Sequence, residues 1–351
     1  MSVKQEDILE ALKSVMDPDL NKDIVSLGFI KDMVIEGSKV GFTLELTTPA
    51  CPMKAQLEKG ARDAALSVEG VDTVDINMTS SVKGGGMKGP KIEDLVPSVK
   101  NVLAIASGKG GVGKSTVSVN LAVAMAMEGA KVGLLDLDIY GPSIPMMMGI
   151  KGQPKNENGK MVPLESHGVK MMSLGFLIPD DKPLIWRGPM VMSAVEQLLK
   201  DVAWGDLDYL FIDLPPGTGD AQLSLTQKTT LTGAVVVTTP QDVALLDATK
   251  GLAMFKKVNV DVLGIIENMS FYLCPHCGER SEIFSHGGGK KASEREEVPF
   301  LGEIPINVKI REGGDSGQPL VVGEPEGEPA KRFRDIARTL AARISIQTYR
   351  N

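Results

Sequence analysis

The run Asn101–Thr116, N-V-L-A-I-A-S-G-K-G-G-V-G-K-S-T, limits the possible folds of this chain more than any other segment. An apolar stretch passes directly into a glycine-rich turn and then into residues 115–128, which read as a helix. Gly108, Lys109, Gly110, Gly111, Val112, Gly113, Lys114, Ser115 and Thr116 satisfy G-x-x-x-x-G-K-[ST] in the strand, loop and helix setting the pattern requires. The glycines let the backbone curl so that N–H groups converge on phosphate oxygens, and the helix N-terminus adds favourable partial charge. The spacing predicts a nucleotide site in which Lys114 reaches the β- and γ-phosphates and Ser115 ligates Mg²⁺.

The rest of the chain after residue 101 suits that loop. KVGLLDLD, LDYLFIDLP, GAVVVTTP and VLGIIEN are near-continuous apolar runs separated by helical stretches, the signature of a parallel sheet covered on both faces. The fold class expected for residues 101–351 is therefore α/β, a doubly wound parallel-sheet P-loop NTPase domain. Residues 1–82 differ. A helix is expected over residues 5–16, ended by Asp17-Pro18; FIKDMVIEG and KVGFTLELTT read as a hairpin; a helix follows over 53–67 and a strand over 71–78. That order describes a small α+β domain. Between the two, residues 83–100 hold three consecutive glycines and two prolines and read as a linker.

Charge and composition narrow the function. Residues 1–82 carry eight Lys/Arg against fourteen Asp/Glu, and the whole chain is at −7, so no global basic field favours nucleic acid. No run approaches the roughly 18 apolar residues of a membrane span, and MSVKQEDILEALK has no signal-peptide character, so a cytoplasmic location is expected. Three cysteines, Cys51, Cys274 and Cys277, point to thiol or metal chemistry rather than a disulfide framework.

Asp136 and Asp138 end KVGLLDLD, and Asp213 ends LDYLFID, at the carboxyl ends of expected parallel strands where ligands bind in such sheets. Asp213 fits a Walker B carboxylate holding Mg²⁺ through water. The motif G-K-G-G-V-G-K-S-T resembles the deviant Walker A loop of the MinD/ParA/nitrogenase-iron-protein group, whose members sandwich two nucleotides in a homodimer. The resemblance implies that Lys109 acts in trans on the partner's phosphates, the alternative being a solvated loop lysine. It also implies that Asp138 orients or activates the attacking water, that Asp136 supports the switch region continuing IYGPSIP, and that PPGTGD is a second switch. Asn268, in GIIENMS, matches a position where relatives read adenine through an amide; an asparagine there also serves as a turn residue.

Downstream, FYLCPHCGER places Cys274 and Cys277 around Pro275-His276. One C-x-x-C supplies two thiolates, whereas tetrahedral zinc or a four-iron cluster needs four ligands. His276 or His286 could complete a zinc site within one chain; alternatively, two chains meeting across a twofold axis supply four cysteines. The loop, GPSIP, IDLPPGTGD and ENMS followed by C-x-x-C together resemble the Mrp/ApbC iron-sulfur cluster carrier ATPases over residues 95–345, and DPDLNKDIVSLGFI with TTPACP resembles the metal-sulfur assembly domain that bacterial carriers often bear. The resemblance implies ATP and Mg²⁺, a homodimer bridged by a 4Fe-4S cluster on Cys274 and Cys277, and transfer to apo iron-sulfur proteins in exchange with assembly scaffolds. No nucleic acid or membrane partner is implied. Cys51, in TTPACP, is either part of that traffic or a small buried hydrophobe. Two alternatives remain open. One is a positioning ATPase whose amphipathic C-terminal helix, with Phe333, Ile336, Leu340 and Ile344 on one face, lies on lipid; the other is an NTPase with structural zinc.

Overall fold

The computed structural model describes residues 3–85, 94–138, 141–177, 188–217, 219, 222, 225–226 and 228–350. Residues 86–93 of the expected linker, Ile139 and Tyr140 before GPSIP, and Thr218 and Asp220 of PPGTGD lie outside them. The chain divides into two compact units, residues 1–83 with 341–351, and residues 84–340.

In the first unit, α1 (Gln5–Leu12) buries Ile8 and Leu12. It stops four residues before the expected Met16, because residues 16–17 pair instead with residues 22–23 and the Asp17 carboxylate accepts from the backbone N–H groups of Asp19 and Leu20. An aspartate turn outcompetes the last helical turn. Strands β1 (Ile30–Glu36) and β2 (Lys39–Leu46) form the expected hairpin, with Gly37 at φ 63° in the two-residue connection. Along β2, Val40, Phe42, Leu44 and Leu46 alternate inward and pack with Leu57, Ala61 and Ala65 of α2 (Lys54–Leu66). Helix α2 is the crossover that returns β3 (Thr73–Ser80) parallel to β2.

The second unit is built on an eight-stranded sheet among the described residues. Its strands in chain order are β4 (Val99–Ser107), β5 (Val132–Asp136), β6 (Leu164–Ser166), β7 (Val169–Ser173), β8 (Leu207–Asp213), β9 (Gly233–Thr238), β10 (Val262–Glu267) and, further on, Phe300–Glu303. Their spatial order is β6-β7-β5-β8-β4-β9-β10 and then Phe300–Glu303, all parallel except the antiparallel edge strand β6. Every residue of β5, β8 and β9 is buried, as a sheet covered on both faces requires. Covering helices include α3 (Lys114–Met127), α4 (Gly188–Lys200) and α5 (Asp242–Lys257). Further along lie the short strands β11 (Tyr272–Leu273) and β12 (Arg280–Ser281), helix α6 (Gly288–Arg295), the strand Phe300–Glu303, hereafter β13, helix α7 (Val308–Ser316) and the terminal α8 (Glu328–Arg350).

Phe333, Ile336, Leu340 and Ile344 of α8 are all buried, so the apolar face that a lipid surface would need is already covered. No helix among the described residues is long and apolar enough to cross a membrane. Phe211, at the centre of β8, is fully buried. Phe211→Ala should lower stability by about 3–5 kcal/mol through lost contacts and a residual cavity, read as a lower urea midpoint.

Candidate functional site

Strand β4 delivers the loop to α3 at the carboxyl edge of the sheet. Gly113 caps α3 at φ 80°, a left-handed conformation, and a Cβ there would collide with the Asn268 amide. Gly108 lies so close to the backbone of Asp247 on α5 that a Cβ would not fit. No side chain caps α3 and its first turn holds no acid, which leaves the N–H groups directed at the loop for an anion.

Beside the loop, Asp136 and Asp213 end neighbouring strands and stand opposite one another in the β5–β8 register. Both are fully buried. Lys114 Nζ donates to Asp213 Oδ2 at 2.5 Å and lies 3.9 Å from Asp138, while the Ser115 hydroxyl donates to the same Asp213 oxygen at 2.6 Å. Ser118 Oγ, one helical turn on, donates to the other oxygen at 2.6 Å. Ser118 was not expected from sequence; its three-residue offset from Ser115 on α3, which puts both on one helix face, is the signal that could have found it.

Asp136 accepts from the backbone N–H of Asp138 at 3.0 Å and of Ile144 at 3.4 Å, and from Ser173 Oγ at 3.0 Å. Through Ile144 it touches the GPSIP stretch. Burial, followed by the adjacent Asp213 charge, pushes its carboxyl up to about 7. Lys109 is half-buried with its carbonyl accepting from Ser107 Oγ, and among the described residues no ion pair engages its ammonium. Gln222 Nε2 donates to the carbonyls of Pro215 and Gly217, tying down the turn after Asp213.

Two cavities meet at the loop. One of about 180 Å³ is lined by Lys109–Thr116, Ser143 and Pro216; the other, about 500 Å³, is lined mainly by apolar groups, among them Met147, Met269, Phe284, Ile306 and Ile310. Gly113, Thr116 and Met147 border both, so the small recess along the phosphate loop opens into a larger apolar one. Asn268 lines the larger cavity, but its Nδ2 donates to the Val112 carbonyl at 2.8 Å, bracing the loop.

The cysteine pair sits at the tip of the β11–β12 hairpin, where Cys274 N–H donates to the Glu279 carbonyl and Gly278 N–H to the Cys274 carbonyl. Cys277 is exposed and Cys274 partly so. Backbone N–H groups of Cys277 and His276, aided by the Cys277 thiol, hold Cys274 below the ordinary cysteine range, which favours the thiolate that binds metal. Among the described residues no third ligand gathers with the pair. His286 is instead 2.7 Å from Glu303, within a group that includes Glu267. Cys51 packs against the apolar cluster of the first unit, and burial pushes its thiol up to about 11, as suits a small hydrophobe rather than a thiolate.

Between the ordinary carboxylate range, about 4, and the Asp136 value of about 7, the folded chain binds more protons than the unfolded one, so this group's contribution to stability falls as pH rises through that window and is level above it. Urea midpoints of the nucleotide-free protein taken from pH 4 to pH 8 should therefore decline more in the native sequence than in Asp136→Asn; parallel curves would contradict the assignment.

Comparison with known proteins matches these features. The family of NUBPL iron-transfer P-loop NTPases matches residues 98–341, and the iron-sulfur cluster assembly proteins match residues 5–76. The chain is 50% identical over 344 residues to the iron-sulfur cluster carrier protein of Deinococcus radiodurans, covering 97% of this chain and 96% of that one. A nucleotide-binding protein of Archaeoglobus fulgidus, solved in complex with ADP, is similar with a TM-score of 0.58 and 40% identity over 66% of this chain and 90% of its own. MinD of Pyrococcus horikoshii, complexed with Mg-ADP, is similar with a TM-score of 0.51 and 25% identity over 68% of this chain and 94% of its own.

Proposed function

This chain belongs to the iron-sulfur carrier family of P-loop NTPases, and from that footing we propose that a cluster is held between the Cys274–Cys277 pairs of two copies, its release to apo-proteins controlled by ATP at the Gly108–Thr116 loop. The observation that carries this reading is the thiol hairpin itself: an exposed and a partly exposed cysteine, the latter held below the ordinary cysteine range by backbone N–H groups, with no third ligand gathered from the described residues. Two thiolates cannot close a four-iron cluster, and a twofold axis doubles them. An exposed cluster of this kind is suited to transfer, and a reducing compartment such as the cytoplasm keeps the pair as thiols.

Nucleotide binding follows from the adjoining recesses, the smaller taking phosphates and the larger the base. The donor set fits Mg²⁺: Ser115 and Asp213, already within 2.6 Å of each other, would hold it as a hydroxyl and a carboxylate. When bound, Mg²⁺ neutralises phosphate charge. An incoming triphosphate draws the Lys114 ammonium away from Asp213 toward the β- and γ-oxygens. Asp138, 15% exposed at the edge of the site, accepts the proton of the attacking water as its oxygen joins the γ-phosphorus and the bond to the ADP oxygen breaks. Lys109, half-buried in the loop, reaches the phosphates of the second copy.

Anaerobic reconstitution tests the cluster. About one four-iron cluster per dimer is expected; Cys274→Ala or Cys277→Ala should abolish its retention and transfer while sparing nucleotide binding, whereas Cys51→Ala should keep the bridge. Stoichiometric zinc without sulfide would support the structural-zinc alternative instead.

The trans role is read by mixing. Lys114→Ala alone should abolish hydrolysis and weaken nucleotide binding, and mixed with Lys109→Ala subunits it should recover partial turnover, because one composite site then keeps both lysines. A mixture no more active than its parents places Lys109 in its own site or outside the reaction.

A further inference from the structure

The thiol hairpin and the phosphate loop are linked by an unbroken set of contacts within residues 84–340. Asn268 grips the Val112 carbonyl of the loop at 2.8 Å. Its neighbour Glu267, fully buried at the end of β10, accepts from the backbone N–H of Gly287 at 3.0 Å and of Gly289 at the start of α6, and lies 2.6 Å from Ser270 Oγ. The same hydroxyl is 3.0 Å from Glu303 Oε2, at the end of β13. Glu303 then gathers His286 Nε2 at 2.7 Å, Arg332 at 3.3 Å and Arg280 at 3.8 Å. Arg280 is on β12, three residues after Cys277, and stacks on the buried Phe271 ring at 3.9 Å.

A second contact runs to the same hairpin. The larger cavity beside the loop is walled in part by Ile283 and Phe284, which lie between Arg280 and His286. An occupant of that cavity therefore presses on a segment whose two ends, Arg280 and His286, are both held by one carboxylate. Ile283 is 56% exposed, so covering it changes its surroundings substantially. Glu267, His286 and Glu303 also approach closely enough to hold a divalent cation. Against that use, the carboxylate oxygens are already taken by backbone N–H groups, a hydroxyl and two guanidinium groups, all of which a cation would have to displace.

We propose that Glu303 is a positioning residue that transmits occupancy of the nucleotide cavity to the Cys274–Cys277 hairpin, holding Arg280 and His286 so that a bound nucleotide, by covering Ile283 and Phe284, restrains the thiols. The inference rests on the proposed function in taking ADP to bind beside the loop. Restraint of the hairpin slows reagents that must approach either sulfur, and the coupling works reciprocally on equilibrium affinities.

The test is the alkylation rate of Cys274 and Cys277 in cluster-free full-length protein, followed by mass spectrometry with iodoacetamide, with and without saturating Mg-ADP. The native protein should react about five-fold more slowly with ADP, the lower end of ordinary coupling between sites. In Glu303→Gln, which keeps the shape and loses the charge, and in Arg280→Met, a change on an exposed hairpin, the ratio should fall to near one while calorimetry still finds ADP bound, its affinity changed by no more than that roughly five-fold factor. A native rate indifferent to bound ADP, or variants that keep the native ratio, overturns the proposal and leaves the carrier reading standing. Absence of ADP binding by the native protein overturns both, and calorimetry reads that separately. Zinc or manganese uptake by protein with both thiols blocked, lost in Glu303→Gln, would assign the group to a cation and overturn the positioning role.

Discussion

The buried pair of Lys114 and Asp213 is the interaction around which the second unit is organised. A lysine 6% exposed and a fully buried aspartate meet at 2.5 Å, with Ser115 and Ser118 satisfying the remaining carboxylate positions. Burying two charges is costly, and an apolar pair of similar volume would often be no less stable. The pair makes sense as a site held ready: the lysine is kept aligned until a phosphate offers it a better partner. The parallel sheet makes this possible, because strands running the same way deliver Asp136 and Asp213 to one edge in one register.

Asp136 shows the consequence of crowding carboxylates at that edge. With Asp213 opposite and no solvent, it holds a proton up to about pH 7. Its partners, Asp138, Ile144 and Ser173, come from the stretch after β5 and from the end of β7, so a change in its charge is felt by the GPSIP stretch itself. The electrostatics of the thiol hairpin run the other way. There, backbone N–H groups stabilise negative charge on Cys274 in contact with water. One edge of the sheet favours a neutral acid, and the hairpin favours a thiolate.

Much of this was legible in the sequence because it is local. The loop motif, the apolar runs that became β4, β5, β8, β9 and β10, and the C-x-x-C spacing are each contained in fewer than about 20 residues, where backbone geometry follows from residue type. The hairpin at Gly37-Ser38 follows in the same way. The helix expected to run to Met16 failed for a local reason that periodicity does not register, a competing carboxylate turn at Asp17. Asn268 reads from the sequence as a base contact or a turn residue; the fold adds that its amide nitrogen braces the Val112 carbonyl while it lines the larger cavity.

By itself, the sequence determined a nucleotide-binding loop, a doubly wound sheet to carry it, a small α+β unit before it and a C-x-x-C pair after it. Only the tertiary structure decided which side chains share a charge. Ser118 with Asp213, Ser173 with Asp136, and the convergence of Glu267, Ser270, Arg280, His286, Arg332 and Glu303 join residues separated by as much as 95 positions along the chain. Hydrogen bonds and ion pairs reach only a few ångströms, so their partners are fixed by how strands and helices pack, and no local pattern of residues encodes that distance.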